Sequence, residues 1–214
     1  MNTRSICAFG AGVAVATSIA LLVAVGPDHG DHEHHDGPDG DMGHEMSPED
    51  MMAAYMALGN PGEHHEEMKR FEGNWTAVTA FSMDPSNPDE KTMGTATATT
   101  KSIMGGRYSV TDFKSDFMGM PFEGIAYSGY DNARNEHVSI WMDSMSTAIM
   151  NMKGQINEDG NLVMQGTAFA PGMGDYQMKM VYHWEDDDHW SQNFYDQMPD
   201  GSWFNSGTMT YTRE

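Results

Sequence analysis

Cysteine is nearly absent: of 214 residues only Cys7 is one. It precedes an apolar run, so no disulfide, catalytic thiolate or zinc-thiolate site is expected in the processed protein. Positive charge is scarce too. Eleven Lys+Arg stand against 32 Asp+Glu, a formal net charge of −21. A field of that sign repels phosphate backbones and anionic membrane surfaces, which argues against nucleic acid as a partner. Leucine occurs four times, at Leu21, Leu22, Leu58 and Leu162, whereas methionine occurs 22 times. Methionine has taken leucine's place as the flexible filler of apolar space. No phosphate loop, dinucleotide fingerprint or βαβ spacing is found.

What is present begins with a targeting pattern. Arg4 is followed by an uncharged apolar run up to Gly26, and Ala24-Val25-Gly26 supplies small residues ahead of Pro27. We read residues 1–26 as a secretory signal peptide, and the protein as exported to the periplasm or beyond, with no stable membrane insertion after cleavage. An uncleaved membrane anchor is the alternative, because the run is nearly long enough to span.

Residues 27–46 form a leader rich in histidine, aspartate and glycine. Between Asp28 and Asp50 lie nine acidic residues and no basic one. So little apolar surface does not offset the entropy of ordering, and disorder is expected. His29, His32, His34 and His35 are the candidate ligands for weakly bound zinc or copper, since imidazole suits both metals. Their spacing follows no fixed tetrahedral pattern, so a plain soluble spacer competes with metal handling. Residues 47–72 read as a helical segment. Ser47-Pro48-Glu49-Asp50 is a helix start with a capping serine, a first-turn proline and an acid three residues on. His64 and His65 are adjacent, point about 100° apart on a helix, and do not readily face one ion.

Residues 73–214 change to a period of two. Tyr176, Met178, Met180, Tyr182 and Trp184 fall on one face of a strand, with Gln177, Lys179 and His183 on the other. Ten such segments follow one another, separated by turn signals at "MDPSNPDE", "MGG", "YDNARN", "NEDGN", "EDDD" and "MPDG". The pattern predicts an all-β fold: an antiparallel up-and-down meander of about ten strands closing into a barrel, with a short N-terminal helix. The pairs Met118/Met120, Met150/Met152 and Met178/Met180 read as core-facing positions of strands, since residues two apart share a face. They are also soft donors for copper.

The blocks "EHHEEMKRFEGNW", "IMGGRY", "MGMPFEGIAYSGYDNARNEHVSIWMDSMSTAIM" and the closing "MTYTR" resemble, in order over roughly Pro61 to Arg213, the bacterial family called domain of unknown function 1579. The resemblance implies a calycin-like β-barrel, related in architecture to lipocalins and fatty-acid-binding proteins. It brings no activity and no catalytic residues, and the histidine leader lies outside it.

Within the central block, His137, Ser139, Trp141 and Asp143 share one strand face, and Val138, Ile140 and Met142 the other. If the first set faces the lumen, Trp141 forms a wall with His137 and Asp143 as polar anchors. Tyr130 ends the preceding strand, and Arg107 offers a charge partner for an acidic headgroup. Arg107, Tyr130, His137, Trp141 and Asp143 are thus the candidate ligand-binding residues. If the second set is the core, His137 and Asp143 are merely solvated. No serine, histidine or aspartate sits in a motif of activated nucleophiles, so no enzyme is expected. Three readings stay open: a lumen binding a small apolar or amphipathic ligand, closed at one end by the N-terminal helix; a metal-buffering protein using the leader and the methionine pairs; and an interaction module with a filled barrel.

Overall fold

A computed structural model describes residues 46–82, 84–117, 119–171 and 174–214. Everything read from residues 1–45, including the signal peptide and His29, His32, His34 and His35, lies outside the described residues. Among those described, no helix is long and apolar enough to cross a membrane.

Helix α1 spans Pro48–Leu58, and the Ser47 hydroxyl accepts from the Asp50 amide at 3.1 Å, the cap its sequence calls for. It buries no residue. Asn132 ties its end to the barrel by donating to the carbonyls of Leu58 and Asn60, at 2.8 and 2.9 Å. Helix α2, Glu63–Met68, and a 3₁₀ turn, Lys69–Phe71, follow.

Ten strands come next: β1 Gly73–Phe81, β2 Thr92–Ile103, β3 Tyr108–Phe117, β4 Met120–Asp131, β5 Glu136–Asp143, β6 Met150–Ile156, β7 Leu162–Ala170, β8 Gly174–Trp184, β9 His189–Gln197 and β10 Trp203–Arg213. Each pairs antiparallel with its neighbours in the chain, and β10 pairs with β1 through Trp75↔Arg213 to Phe81↔Gly207. Closure leaves the sheet without a free edge. The meander barrel expected from the period-two pattern is the fold observed.

The turns form where short acids and amides accept backbone N–H groups. Asp131 Oδ1 accepts from Ala133 at 2.9 Å, Asn157 Oδ1 from Asn161 at 2.9 Å, and Asp200 Oδ1 from Ser202 at 2.9 Å. The tight β2–β3 connection uses Gly105 and Gly106 at φ 67° and 87°, a left-handed backbone that glycine enters without steric cost.

Burial follows the alternation. Trp75, Ala77, Ala96, Ala98, Phe113, Trp190 and Tyr211 form one buried cluster, with Trp190 and Tyr211 stacked 3.8 Å apart. Met152, Met164 and Met180 form a second. The closed end of the barrel is held by Arg213. Its guanidinium lies 4.1 Å over the Trp75 ring, and it donates to the carbonyls of Glu72 (2.6 Å), Arg70 (3.1 Å) and Asp187 (2.9 Å). One correction concerns the plug. The long helix α1 does not close the barrel; Met68 at the end of α2 and Phe71 of the 3₁₀ turn line the lumen there. The reason is chemical: the apolar residues of α1 are spread around its surface, whereas Phe71 sits among Tyr182, Trp184 and Trp190, with ring centroids 5.0–6.0 Å away.

Candidate functional site

Strand β5 decides what the lumen contains. Its register puts Trp141 opposite Ala126, Ser139 opposite Ser128 and Asp143 opposite Gly124 on β4, and Ser139 opposite Met152 on β6. His137, Ser139, Trp141 and Asp143 therefore point inward, and of the two faces open in the sequence the polar one is the lumen face. Two neighbours make this packing feasible. A Cβ on Gly124 would stand 2.1 Å from the Trp141 ring, so glycine lets the indole lie flat on β4. On the next strands, a Cβ on Gly154 would meet Met164 Sδ at 2.7 Å.

The lumen encloses about 920 Å³. Its walls are mainly aromatic rings and thioethers: Phe113, Phe122 and Trp141 on one side, and Met150, Met152, Met164, Met178 and Met180 on β6–β8 opposite. Two of the three Met-x-Met pairs thus face inward; of the third, Met120 is exposed and Met118 lies outside the described residues. A hydroxyl ladder climbs one wall. Thr100 and Thr111 hydroxyls are 2.8 Å apart, Ser128 and Ser139 hydroxyls 3.0 Å, and Ser109 lies beside them. Gln192 donates to Met180 Sδ at 3.0 Å and to the Tyr182 hydroxyl at 3.1 Å. Burial pushes the phenols of Tyr182 and Tyr211 up, keeping both neutral. A filled barrel would have no such cavity, so that reading does not describe this lumen.

At the closed end, α2 meets the barrel through a ring cluster. His64 lies 4.2 Å from Tyr130, and Tyr130 lies 5.0 Å from His137. His65 accepts the Gly62 amide on Nδ1 at 3.1 Å, and its ring centroid lies 5.9 Å from that of Tyr130. Burial lowers the pKa of both His65 and His137, and His64 nearby pushes the same way. His137 Nε2 is buried without a hydrogen-bond partner. Among the described residues, no group of three or more His, Cys, Asp or Glu side chains is arranged to hold a metal.

The opposite end is the mouth. Phe81, Phe122, Ile149 and Phe169 surround it, with Ile149 and Phe169 exposed, and Asp143 and Asp175 supply carboxylates. Asp143 Oδ2 accepts from Trp141 Nε1 at 2.9 Å and Oδ1 from the Met145 amide at 2.9 Å, which fixes indole and carboxylate side by side.

Of the five candidate ligand-binding residues, His137, Trp141 and Asp143 line the lumen together, and Tyr130 packs on His137 at the closed end. Arg107 does not join them. It is exposed on the β2–β3 turn and donates to the Met104 carbonyl at 3.1 Å, because the glycine turn directs it out of the barrel. The hydroxyl ladder and Gln192 escaped the residue-by-residue reading, whereas the methionine pairs of the thioether wall were expected to face inward. The period-two pattern carried them, once one strand's inward face was known.

Residues 60–213 match the family described as "Protein of unknown function (DUF1579)". Among curated proteins, none matches the chain. Among solved structures, the S-type phycobiliprotein lyase CPES from Guillardia theta is similar at 8% sequence identity, over 72% of this chain and 93% of that chain, with a TM-score of 0.49.

Proposed function

We propose, for a chain that belongs to the DUF1579 family, that the barrel is a non-catalytic binder which takes a small apolar or amphipathic ligand into its lumen. The observation that carries this reading is the cavity of about 920 Å³, walled by aromatic rings and thioethers and marked by a few placed polar groups. That is the composition of small-molecule sites, in which apolar walls supply affinity and sparse polar groups supply orientation. Binding rather than covalent chemistry is supported by the partners of the lumen hydroxyls. Thr100 pairs with Thr111 and Ser128 with Ser139, so these hydroxyls hydrogen-bond one another. We further propose that the protein works after export, the small residues before Pro27 being the supporting feature.

Native mass spectrometry on protein from an exported fraction tests both statements. A retained organic mass that leaves on unfolding, on a polypeptide starting at Pro27, is expected. In vitro, an apolar fluorophore should enter the wild-type lumen and be excluded by Ala168→Trp, which places an indole in it. Equal binding by both proteins would overturn the lumen reading.

A further inference from the structure

Among the described residues, the lumen of this acidic barrel is walled without lysine or arginine, and that bears on what it accepts. Lys and Arg are absent from its lining, whereas Asp143 and Asp175 are part of it. Three basic residues of the barrel are engaged elsewhere. Arg107 is on the Met104 carbonyl, Arg213 on the closed-end carbonyls, and Lys179 stands 4.7 Å over Tyr195 and 4.5 Å over Trp203. An anionic headgroup entering this lumen would lose hydration, meet two carboxylates and find no counter-charge.

The mouth offers a cation the opposite. Phe113, Phe122 and Trp141 form a contiguous aromatic trio, with centroid separations of 5.9, 6.0 and 6.3 Å. The Asp143 carboxylate is fastened to the edge of this trio by the Trp141 indole N–H. Ring faces and a carboxylate at one place are what a weakly hydrated ammonium group seeks. The formal net charge of −21 raises the local concentration of cations around the molecule. Below the trio, the thioether wall accommodates an apolar body, since thioethers are polarizable and adapt in shape.

Resting on the lumen-binding reading, we propose that the ligand is an organic cation: an amine or quaternary ammonium with an apolar body, its charge at Asp143 and the aromatic trio and its body against the methionines. The fatty-acid type of ligand, anionic at its head, is disfavoured by the same geometry.

The test uses three probes that differ only in the head: dodecyltrimethylammonium, dodecanol and dodecanoate. Each is titrated below its micelle concentration into the full protein and followed by tryptophan fluorescence and calorimetry. The cation should bind tightest, at least about tenfold better than the carboxylate. Asp143→Asn should reduce cation affinity about tenfold and leave dodecanol within about twofold, the dodecanol also reporting that the variant is folded. Trp141→Phe should weaken the cation less than Asp143→Asn does, since a ring face is kept. Dodecanoate binding as well as the cation overturns the proposal, and so does cation binding that Asp143→Asn leaves unchanged. Cation binding that survives Ala168→Trp places the charge on the outer surface and overturns it too. Failure of all three probes overturns the lumen-binding reading itself, a result distinct from a wrong order among them.

Discussion

Arg213 carries a prediction with a magnitude that follows from its contacts. Its guanidinium joins the backbone of the 3₁₀ turn, at Arg70 and Glu72, to the β8–β9 hairpin at Asp187, and covers Trp75, which is 1% exposed. Gly73, at φ 122°, makes room for it, since a Cβ there would stand 2.8 Å from Nη1. Each of the three carbonyl bonds is worth about 1 kcal/mol net of water. The cation–π contact on a desolvated indole adds about 1 kcal/mol. The ion pair with Asp188 at 3.1 Å is exposed and adds little. Arg213→Ala should therefore cost about 4 kcal/mol, which lowers Tm by roughly 8–16 °C for a domain of this size. Arg213→Lys keeps the charge but lacks the planar fork, and should recover less than about half of the loss. Urea unfolding followed by tryptophan fluorescence measures both. Hydrogen exchange should show the amides of the 3₁₀ turn losing protection before those of β4 and β5. A loss below about 1 kcal/mol, or full recovery by lysine, would refute the view that this fork locks the closed end.

Acidification tests the histidine cluster. Burial depresses the folded pKa of His65 and His137 below the ordinary 6.5, so the unfolded chain takes up protons first. Their contribution is complete above pH 6.5 and is lost as pH falls below it; thermal scans should show Tm declining in that direction, and His65→Gln combined with His137→Gln should flatten the slope. Asp131, Asp186 and Asp200, all depressed, act only below their ordinary 3.8, whereas Asp196, raised by burial, acts above 3.8 with the opposite sign, so the comparison with the double histidine variant is what isolates the histidines. Gly124→Ala drives a methyl into the Trp141 ring; it should cost about 1–3 kcal/mol and shift the indole N–H resonance as the bond to Asp143 breaks. An unmoved resonance would contradict the packing described. Met164→Ala removes a thioether that is 3% exposed, and should cost about 2–4 kcal/mol by denaturant unfolding while enlarging the lumen for bulkier probes.

Much of the fold was legible in the residues because a half-buried strand writes its two environments into alternate positions. The strand expected to carry Tyr176, Met178, Met180, Tyr182 and Trp184 on one face is Gly174–Trp184. Turn chemistry is equally local, as Asp131, Asn157 and Asp200 show. The inward-facing methionines were readable for the same reason, in Met150/Met152 and Met178/Met180. What a single strand does not encode is its partner. His137, Ser139, Trp141 and Asp143 have equal claims to either side of the sheet until β4 and β6 are set beside β5 in register. The plug was misassigned for a related reason. Helix α1 has the clearer start signal, but the residues that close the barrel are those whose neighbours Trp184, Trp190 and Arg213 arrive from more than a hundred residues away. Arg107 shows the limit most plainly: its charge suggested an acidic headgroup, and the turn points that charge into solvent. Composition and alternation thus determined an acidic, methionine-packed barrel. Pairing across distant segments decided that its lumen is open and aromatic and, among the described residues, lined by no lysine or arginine, because register and closure are properties of strands together and of no strand alone.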